Sequence, residues 1–397
     1  MKKNKNVVFG VTGGIAVYKA LDVISALRKK DINVDVIMTK HATEFVNPVT
    51  FQALSQNAVS VDMFEEPKEW EIHHISLATK ADLLVVAPAT ANIIGKVANG
   101  IADDMLSTTI MATKATVVFA PAMNTNMYTN PIVQENIEKL KKLGYKFIEP
   151  ASGRLACGTS GKGKLADVET IVDSILYELH DKKDLVNKKV LVTAGPTRAA
   201  IDPVRFITNN STGKMGYAIA EEARDRGAEV ILISGPTSIE KPFNIKTIDV
   251  ITNEEMYNQV MNYYDDMDIV IKSAAVADYK AKDYSEQKIK KAEGNLIIEM
   301  ERDKDILLSL GEKKKKQILI GFAAESQNLL ENAKGKLAKK NLDFIVANDI
   351  TSKETGFASN DNKVTIINKN GETFSLDKMS KREVAQNLFD IINNEKR

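Results

Sequence analysis

Val7-Val8-Phe9-Gly10-Val11-Thr12-Gly13-Gly14-Ile15-Ala16 is the stretch that decides the fold. Val7 to Val11 is a continuous apolar run, as expected for a parallel strand covered on both faces. It runs into the turn Thr12-Gly13-Gly14, and a helical pattern follows from Val17 to Lys29. Strand, Gly-rich turn and helix together present backbone amides and a helix N-terminus to a phosphate. The spacing is not G-x-G-x-x-G, so a dinucleotide site is not indicated and a mononucleotide fits better. A tight turn without a ligand is the competing reading.

Outward from this unit the pattern repeats. Val34 to Met38 reads as a strand ending in Thr39-Lys40-His41. Leu83 to Ala87 ends in Pro88-Ala89-Thr90-Ala91-Asn92, and Ala115 to Ala120 ends in Pro121-Ala122-Met123-Asn124-Thr125-Asn126-Met127. Helical patterns at Ala91 to Ala98 and Met105 to Ala112 lie between. Such alternation predicts an α/β fold with a doubly wound parallel sheet. Ligands of open α/β sheets gather at the carboxyl ends of strands. Small residues and hydroxyls there would let a flat ring lie against the backbone. The Asn124 amide can hold a carboxylate without being charged itself; a turn with two core methionines is the rival reading.

Composition bounds the function. The 397 residues allow two or three domains. Net charge is +1, so no global field argues for nucleic acid, and no apolar run is long enough to cross a membrane. Cys157 is the single cysteine. It cannot form an internal disulfide, which suits a reducing, cytoplasmic setting. It sits in Ala156-Cys157-Gly158-Thr159-Ser160-Gly161-Lys162-Gly163-Lys164, whose three glycines read as a mobile loop, so its thiol suits chemistry or a lid better than packing. His73 and His74 are two of four histidines and precede an amphipathic helix. Val168 to Leu179 reads as a closing helix, and the charged stretch from 181 to 188 as a boundary.

A second strand, turn and helix then begin. Lys189 to Thr193 leads into Ala194-Gly195-Pro196-Thr197-Arg198, which predicts a second Rossmann-like sheet. Ser211-Thr212-Gly213-Lys214 lacks the first Gly and the final hydroxyl of a P-loop, so a Walker NTPase is not indicated. A helix is expected from Tyr217 to Arg226. Further strands are expected at Glu229 to Ser234, Asp268 to Ser273, Ile318 to Phe322 and Asp343 to Ala347. The lysine-rich run containing Lys288-Ile289-Lys290-Lys291 reads either as a solvated face or as a mobile flap that grips phosphate. Lys336 and Lys340 lie four apart on one helix face.

The motifs Gly13-Gly14-Ile15-Ala16-x-Tyr18-Lys19, His74, Pro88-Ala89-Thr90-Ala91-Asn92, Pro121-Ala122-Met123-Asn124-x-x-Met127 and Ala156-Cys157-Gly158 resemble the flavin-containing cysteine decarboxylases, above all the phosphopantothenoylcysteine decarboxylases. The resemblance implies a flavodoxin-like domain over residues 1–187. It implies bound FMN, held by Gly13, Gly14, Ile15, Ala16, Thr39, Pro88, Ala89, Thr90, Ala91 and Ser107. It also implies trimers with the flavin near a subunit interface. The flavin would oxidise the substrate thiol so that the adjacent carbon chain can lose carbon dioxide. His74 would stand near the flavin and the thiol. Asn124, with Met127, would hold the substrate. Cys157 would donate a proton, and the loop Ser152 to Lys164 would close over the site. Lys164-Leu165 stands where relatives often have Arg-Met, which keeps charge but loses a bidentate grip.

The second half resembles the phosphopantothenoylcysteine synthetases. The matching motifs are Thr193-Ala194-Gly195-Pro196-Thr197, Asn209 with Ser211-Thr212-Gly213-Lys214-Met215-Gly216, Ala274-Ala275-Val276-Ala277-Asp278-Tyr279, Lys288-Ile289-Lys290-Lys291, Gly321-Phe322-Ala323-Ala324-Glu325 and Ala347-Asn348-Asp349. This implies a CTP-dependent ligase domain over 188–397. The carboxylate of 4′-phosphopantothenate would attack CTP to give an acyl-cytidylate, and cysteine would displace CMP, with Mg²⁺ and lysines stabilising the anionic phosphates. Lys288 would grip the triphosphate, and Asn209 would hold the activated intermediate. Asp278, Phe322, Lys336 and Lys340 would line the CTP site with the turn Lys304-Asp305-Ile306-Leu307, where Lys304 departs from the usual Pro. Dimers of this half and trimers of the first would build a dodecamer.

Overall fold

A computed structural model describes residues 5–64, 72–154, 158, 160–290, 295–325, 329–349 and 359–395. Cys157 and Lys291 lie outside the described residues. The chain forms two compact units, Met1–Asp181 and Lys182–Arg397.

The first unit is built on a parallel sheet. Its strands are β1 (Asn6–Val11), β2 (Asn33–Met38), β3 (Val59–Ser60), β4 (Leu83–Ala89), β5 (Thr116–Pro121) and β6 (Lys146–Phe147). Their order is β3-β2-β1-β4-β5-β6. Without the two-residue edge strand β3, the strands renumber as 2-1-3-4-5, the order of flavodoxin-like sheets. Direction of winding reverses between β1 and β4, which pair from Val7↔Leu83 to Gly10↔Val86. All seven residues of β4 are buried, because apolar packing covers both faces. Phe9 and Val85 belong to one core cluster, and Val8 and Val86 to the cluster on the opposite face.

The region expected as a mobile loop after residue 151 is different. Its described residues form an antiparallel hairpin, β7 (Ala151–Arg154) with β8 (Ser160–Lys164). The Met123 N–H donates to Gly163 O at 3.0 Å, so this hairpin is pinned to the segment that follows β5. Gly163 has φ +140°, and a Cβ there would lie 2.4 Å from Met123 O; only glycine permits this approach.

The second unit holds β9 (Lys189–Ala194), the hairpin β10 (Arg198–Ala200) and β11 (Phe206–Thr208), β12 (Glu229–Ser234), β13 (Lys246–Asp249) and β14 (Ile269–Lys272). Then come the short pair β15 (Tyr279–Ala281) and β16 (Met300–Arg302), followed by β17 (Ile318–Glu325), β18 (Phe344–Asp349), β19 (Asp361–Asn368) and β20 (Thr373–Ser380). The main sheet runs β13-β12-β9-β14-β17-β18-β19-β20. Its first six strands are parallel in Rossmann order, and β19 and β20 extend it antiparallel. The helix after the Ser-Thr-Gly turn begins at Lys214, earlier than the expected Tyr217. Gly213, at φ +81°, makes the sharp entry.

Candidate functional site

In the first unit the reversal between β1 and β4 is where a crevice should open. Two cavities flank it. The larger, about 910 Å³, is lined by Gly13, Thr39, Thr90, Ala91 and Met127, together with Asp104 from the N-terminus of the Met105–Ala112 helix. The smaller, about 530 Å³, shares Gly13, Thr90, Ala91 and Met127, and adds Gly14, Ile15, Ala16 and Asn124. The loop after β1, the loop after β4 and the Asn124 segment therefore line neighbouring cavities with shared walls.

Backbone ties hold those loops together. The Thr12 hydroxyl donates to Pro88 O at 2.6 Å and accepts from the Thr90 N–H at 3.1 Å, while the Ala122 N–H donates to Ala89 O at 3.0 Å. Thr12 is 2% exposed and was not singled out in the sequence; a threonine at a strand end carries no distinctive signal. Pro88 and Ala89 thus contribute a backbone frame. Gly13 is crowded as well, since a Cβ there would lie 2.5 Å from His41 Cβ.

The hydroxyl of Thr39 accepts from the Ala42 N–H at 3.3 Å, and Asn124 caps its short helix by accepting from the Asn126 N–H at 2.8 Å. Ser107 is buried in a capping box with Asp104. Burial works to push the Asp104 carboxyl up, but bonds from Ser107 and Lys96 hold it below the usual carboxylate range. His74 opens the His73–Lys80 helix and is not among the residues lining either cavity. Beside it Ile72 and Ile75 are exposed, as is Met111 on the helix that packs against this one.

In the second unit the sheet reverses between β9 and β14. Loops beyond these strands are bonded directly: the Ala275 N–H donates to Gly195 O at 3.0 Å, and the Ala277 N–H to the Thr197 hydroxyl at 2.9 Å. Asn209 donates its side-chain N–H groups to Ala275 O and Val276 O at 3.1 and 2.9 Å. Its amide oxygen is the atom directed elsewhere.

Asp305 caps the Ile306–Lys313 helix, accepting from the Leu308 N–H at 3.0 Å, and pairs with Lys340 at 2.8 Å. Burial opposes ionisation of Asp305, but the Lys340 bond and the cap hold its pKa down. Ile306 and Leu307 are core residues, so only their backbone faces outward. Lys304 stacks over Tyr257 at 5.0 Å and approaches Glu254. Phe322 packs on the opposite face of the sheet from the Asp305 helix. Lys336 and Asp278 are exposed on the Asp305 side.

Lys288 is exposed, but its segment is not loose. The Ile289 N–H donates to the Asp202 carboxylate at 3.1 Å, Arg205 donates to Ile289 O at 3.1 Å, and the Ser285 N–H donates to Ile201 O at 3.0 Å. Burial alone would raise the Asp202 carboxyl, but the amides of Val204, Ile289 and Arg205 with the Arg205 guanidinium hold its pKa at about 2. Asp202 is the anchor that sequence reading missed. In Ile201-Asp202-Pro203 it looks like an ordinary turn residue.

Residues 185–395 match the family described as DNA/pantothenate metabolism flavoprotein C-terminal domain, and residues 1–180 the family described as Flavoprotein. The coenzyme A biosynthesis bifunctional protein CoaBC of Bacillus subtilis is 53% identical over 99% of this chain and 97% of its own length. The chain belongs to this family. The CoaBC proteins of Borreliella burgdorferi and Haemophilus influenzae are 45% and 43% identical, covering 100% and 98% of their lengths. Both halves are therefore matched in one protein and in the same order.

Proposed function

We propose that the chain catalyses two consecutive steps of coenzyme A biosynthesis. Its second half, over 188–397, joins cysteine to 4′-phosphopantothenate at the expense of CTP. Its first half, over 1–187, removes carbon dioxide from the product to give 4′-phosphopantetheine. The observation that carries this reading is that the chain aligns end to end with CoaBC proteins, with one α/β sheet and one reversal of strand order in each half.

FMN fits the first crevice. Thr39 offers a hydroxyl, the Gly13-Gly14 turn offers close backbone, and Ala91 offers an apolar contact. FMN, once bound, supplies the reversible oxidation of the substrate thiol that makes loss of carbon dioxide feasible. Asn124 orients the departing carboxylate, Cys157 returns a proton, and Met127 packs against the substrate. The hairpin of β7 and β8 shields the site from water. His74 reaches the thiol from a neighbouring copy, which would also cover the exposed Ile72, Ile75 and Met111. Trimers of the first half, dimers of the second and so a dodecamer, in the cytoplasm, complete this reading.

In the second half Lys288 holds the triphosphate with its Mg²⁺. Asp278, Lys336, Lys340 and the backbone of Lys304-Asp305-Ile306-Leu307 hold the nucleoside, whereas Phe322, expected with them, packs on the other face of the sheet. The Asn209 amide oxygen suits the incoming amine of cysteine, because its N–H groups are already committed.

The test is a mass-spectrometric assay with 4′-phosphopantothenate, CTP, cysteine and Mg²⁺. The expected products are 4′-phosphopantetheine, carbon dioxide, CMP and pyrophosphate. A reaction that stops at the cysteine adduct would overturn the first-half assignment, and absence of any adduct would overturn the second.

A further inference from the structure

The basic side chains on the β7–β8 hairpin differ in their partners. Lys162 is committed, pairing with Glu149 at 2.6 Å and lying over the Tyr128 ring at 5.5 Å. Arg154 and Lys164 have no hydrogen bond or ion pair with any of the described residues. Both line the smaller cavity of the first unit. Lys19, in the first turn of the Val17–Arg28 helix, lines it too. Its ion pair is a long one, 3.7 Å to the exposed Asp167. No Asp or Glu among the described residues lines this cavity. In the larger cavity, by contrast, Lys40 and Lys96 stand with Glu44, Asp62, Asp103 and Asp104. Two unpaired cations and a weakly paired third, with no carboxylate beside them, attract an anion. An arginine among lysines suits the oxygens of a phosphate.

The backbone sets these groups before any ligand arrives. β7 and β8 pair Ala151↔Lys164 and Arg154↔Ser160. The Gly163 carbonyl is bonded to Met123, and Gly161 abuts Thr125, whose hydroxyl would lie 2.7 Å from a Cβ there. The stem of Lys164 passes Gly153, where a Cβ would stand 3.7 Å from Lys164 Cδ. Asn124 lines the same cavity. The amide given to the substrate's carboxylate and the unpaired cations thus share one space. What remains for the cations is the substrate's other anionic group, a phosphate monoester with a charge of about −1.5 to −2 at pH 7. FMN carries a phosphate monoester too, but Thr39, the hydroxyl offered to FMN, lines only the larger cavity.

We propose that Arg154 and Lys164, assisted by Lys19, form the subsite for the phosphate of 4′-phosphopantothenoylcysteine, and so set the preference of the first half for a phosphorylated substrate. The proposal rests on the decarboxylase reading given above. The phosphate is remote from the reacting carbon. A contact to it is made alike in the ground state and the transition state, so its loss should raise KM and leave kcat in place.

The experiment follows carbon dioxide release by the full-length flavoprotein from 4′-phosphopantothenoylcysteine and from pantothenoylcysteine, which lacks the phosphate, without CTP. The readout is the ratio of kcat/KM for the two substrates, per bound flavin. Wild type should favour the phosphorylated substrate by about 100-fold, as expected for two charge-assisted contacts. Arg154→Met and Lys164→Met should each shrink that ratio about 10-fold through KM, and the double variant should abolish the preference. Lys164→Arg should keep it. Wild type without a preference overturns the proposal. So does a double variant that keeps the wild-type ratio, including one that loses equally on both substrates, which would mean that the cations only support the hairpin. Loss of flavin absorbance with the ratio intact overturns it as well, and assigns the cations to the phosphate of FMN. If the double variant holds no flavin, the same ratio in Arg154→Met decides. Wild type that decarboxylates neither substrate overturns the decarboxylase reading itself and the proposal with it, and that failure is visible without any variant.

Discussion

The two crevices share a topology and differ in chemistry. Each opens where a parallel sheet reverses, between β1 and β4 in the first unit and between β9 and β14 in the second. The first is lined by glycine, alanine, threonine and methionine together with charged side chains, among them Lys40, Glu44, Asp62, Lys96 and Asp104. In the second, Asp305 pairs with Lys340, and Lys336 and Asp278 are exposed on the same side of the sheet. The fold supplies the location, and the residues just beyond each strand decide what can bind there.

The largest effect should come from His74→Ala. In the proposed reading His74 acts on the substrate thiol from a neighbouring copy, so its loss removes a titratable group from the reacting atoms. Carbon dioxide release should fall by about 100- to 1000-fold, the range for loss of a positioned acid or base. Flavin absorbance and pyrophosphate release from CTP should stay at wild-type levels. A decline of less than fivefold would mean that His74 takes no part in the reaction of the first half.

Shape recognition is tested next by Gly13→Ala. The added Cβ would lie 2.5 Å from His41 Cβ and 2.9 Å from the His41 backbone, so the turn must shift. Overpacking of this kind typically costs about 1–3 kcal/mol, which, if all of it falls on the cofactor frame, corresponds to roughly 5- to 150-fold weaker FMN binding. Flavin content of the purified protein, read from its visible spectrum, checks this. The ligase half should be unaffected. Full flavin retention would show that the β1 turn is not part of the cofactor frame.

How far the sequence could carry this reading depends on what each residue announces. Long apolar runs such as Leu83 to Ala87 announce buried strands, and the helices at Ala91–Ala98 and Val168–Leu179 have the expected ends. Two-residue strands such as β3 and β6 carry no periodicity to detect. The hairpin of β7 and β8 is rich in Gly, Ser and Lys, which have little strand preference; pairing to Met123 holds it instead. Strand ends, where candidate residues collect, were readable. The ties between them were not, because Thr12 to Pro88 and Asp202 to Ile289 join residues far apart in the chain.

The smallest effect, and the one that probes the second crevice most delicately, is Asp202→Asn. Asp202 is buried and accepts hydrogen bonds from the amides of Val204, Arg205 and Ile289. Its pKa of about 2 lies below the unfolded value, so its contribution is present above that value and is lost only as pH falls toward 2. It is therefore fully ionised at any working pH. Asparagine keeps the shape but replaces one acceptor oxygen with a donor that faces other donors. The Lys288 segment should loosen, raising KM for CTP about three- to fivefold, with kcat for pyrophosphate release nearly unchanged at saturation. Adding Lys288→Ala should then cost less than it does in wild type, because the two residues act through one contact. If the effects simply add, Asp202 does not position Lys288. If KM does not move at all, the lysine segment is no clamp.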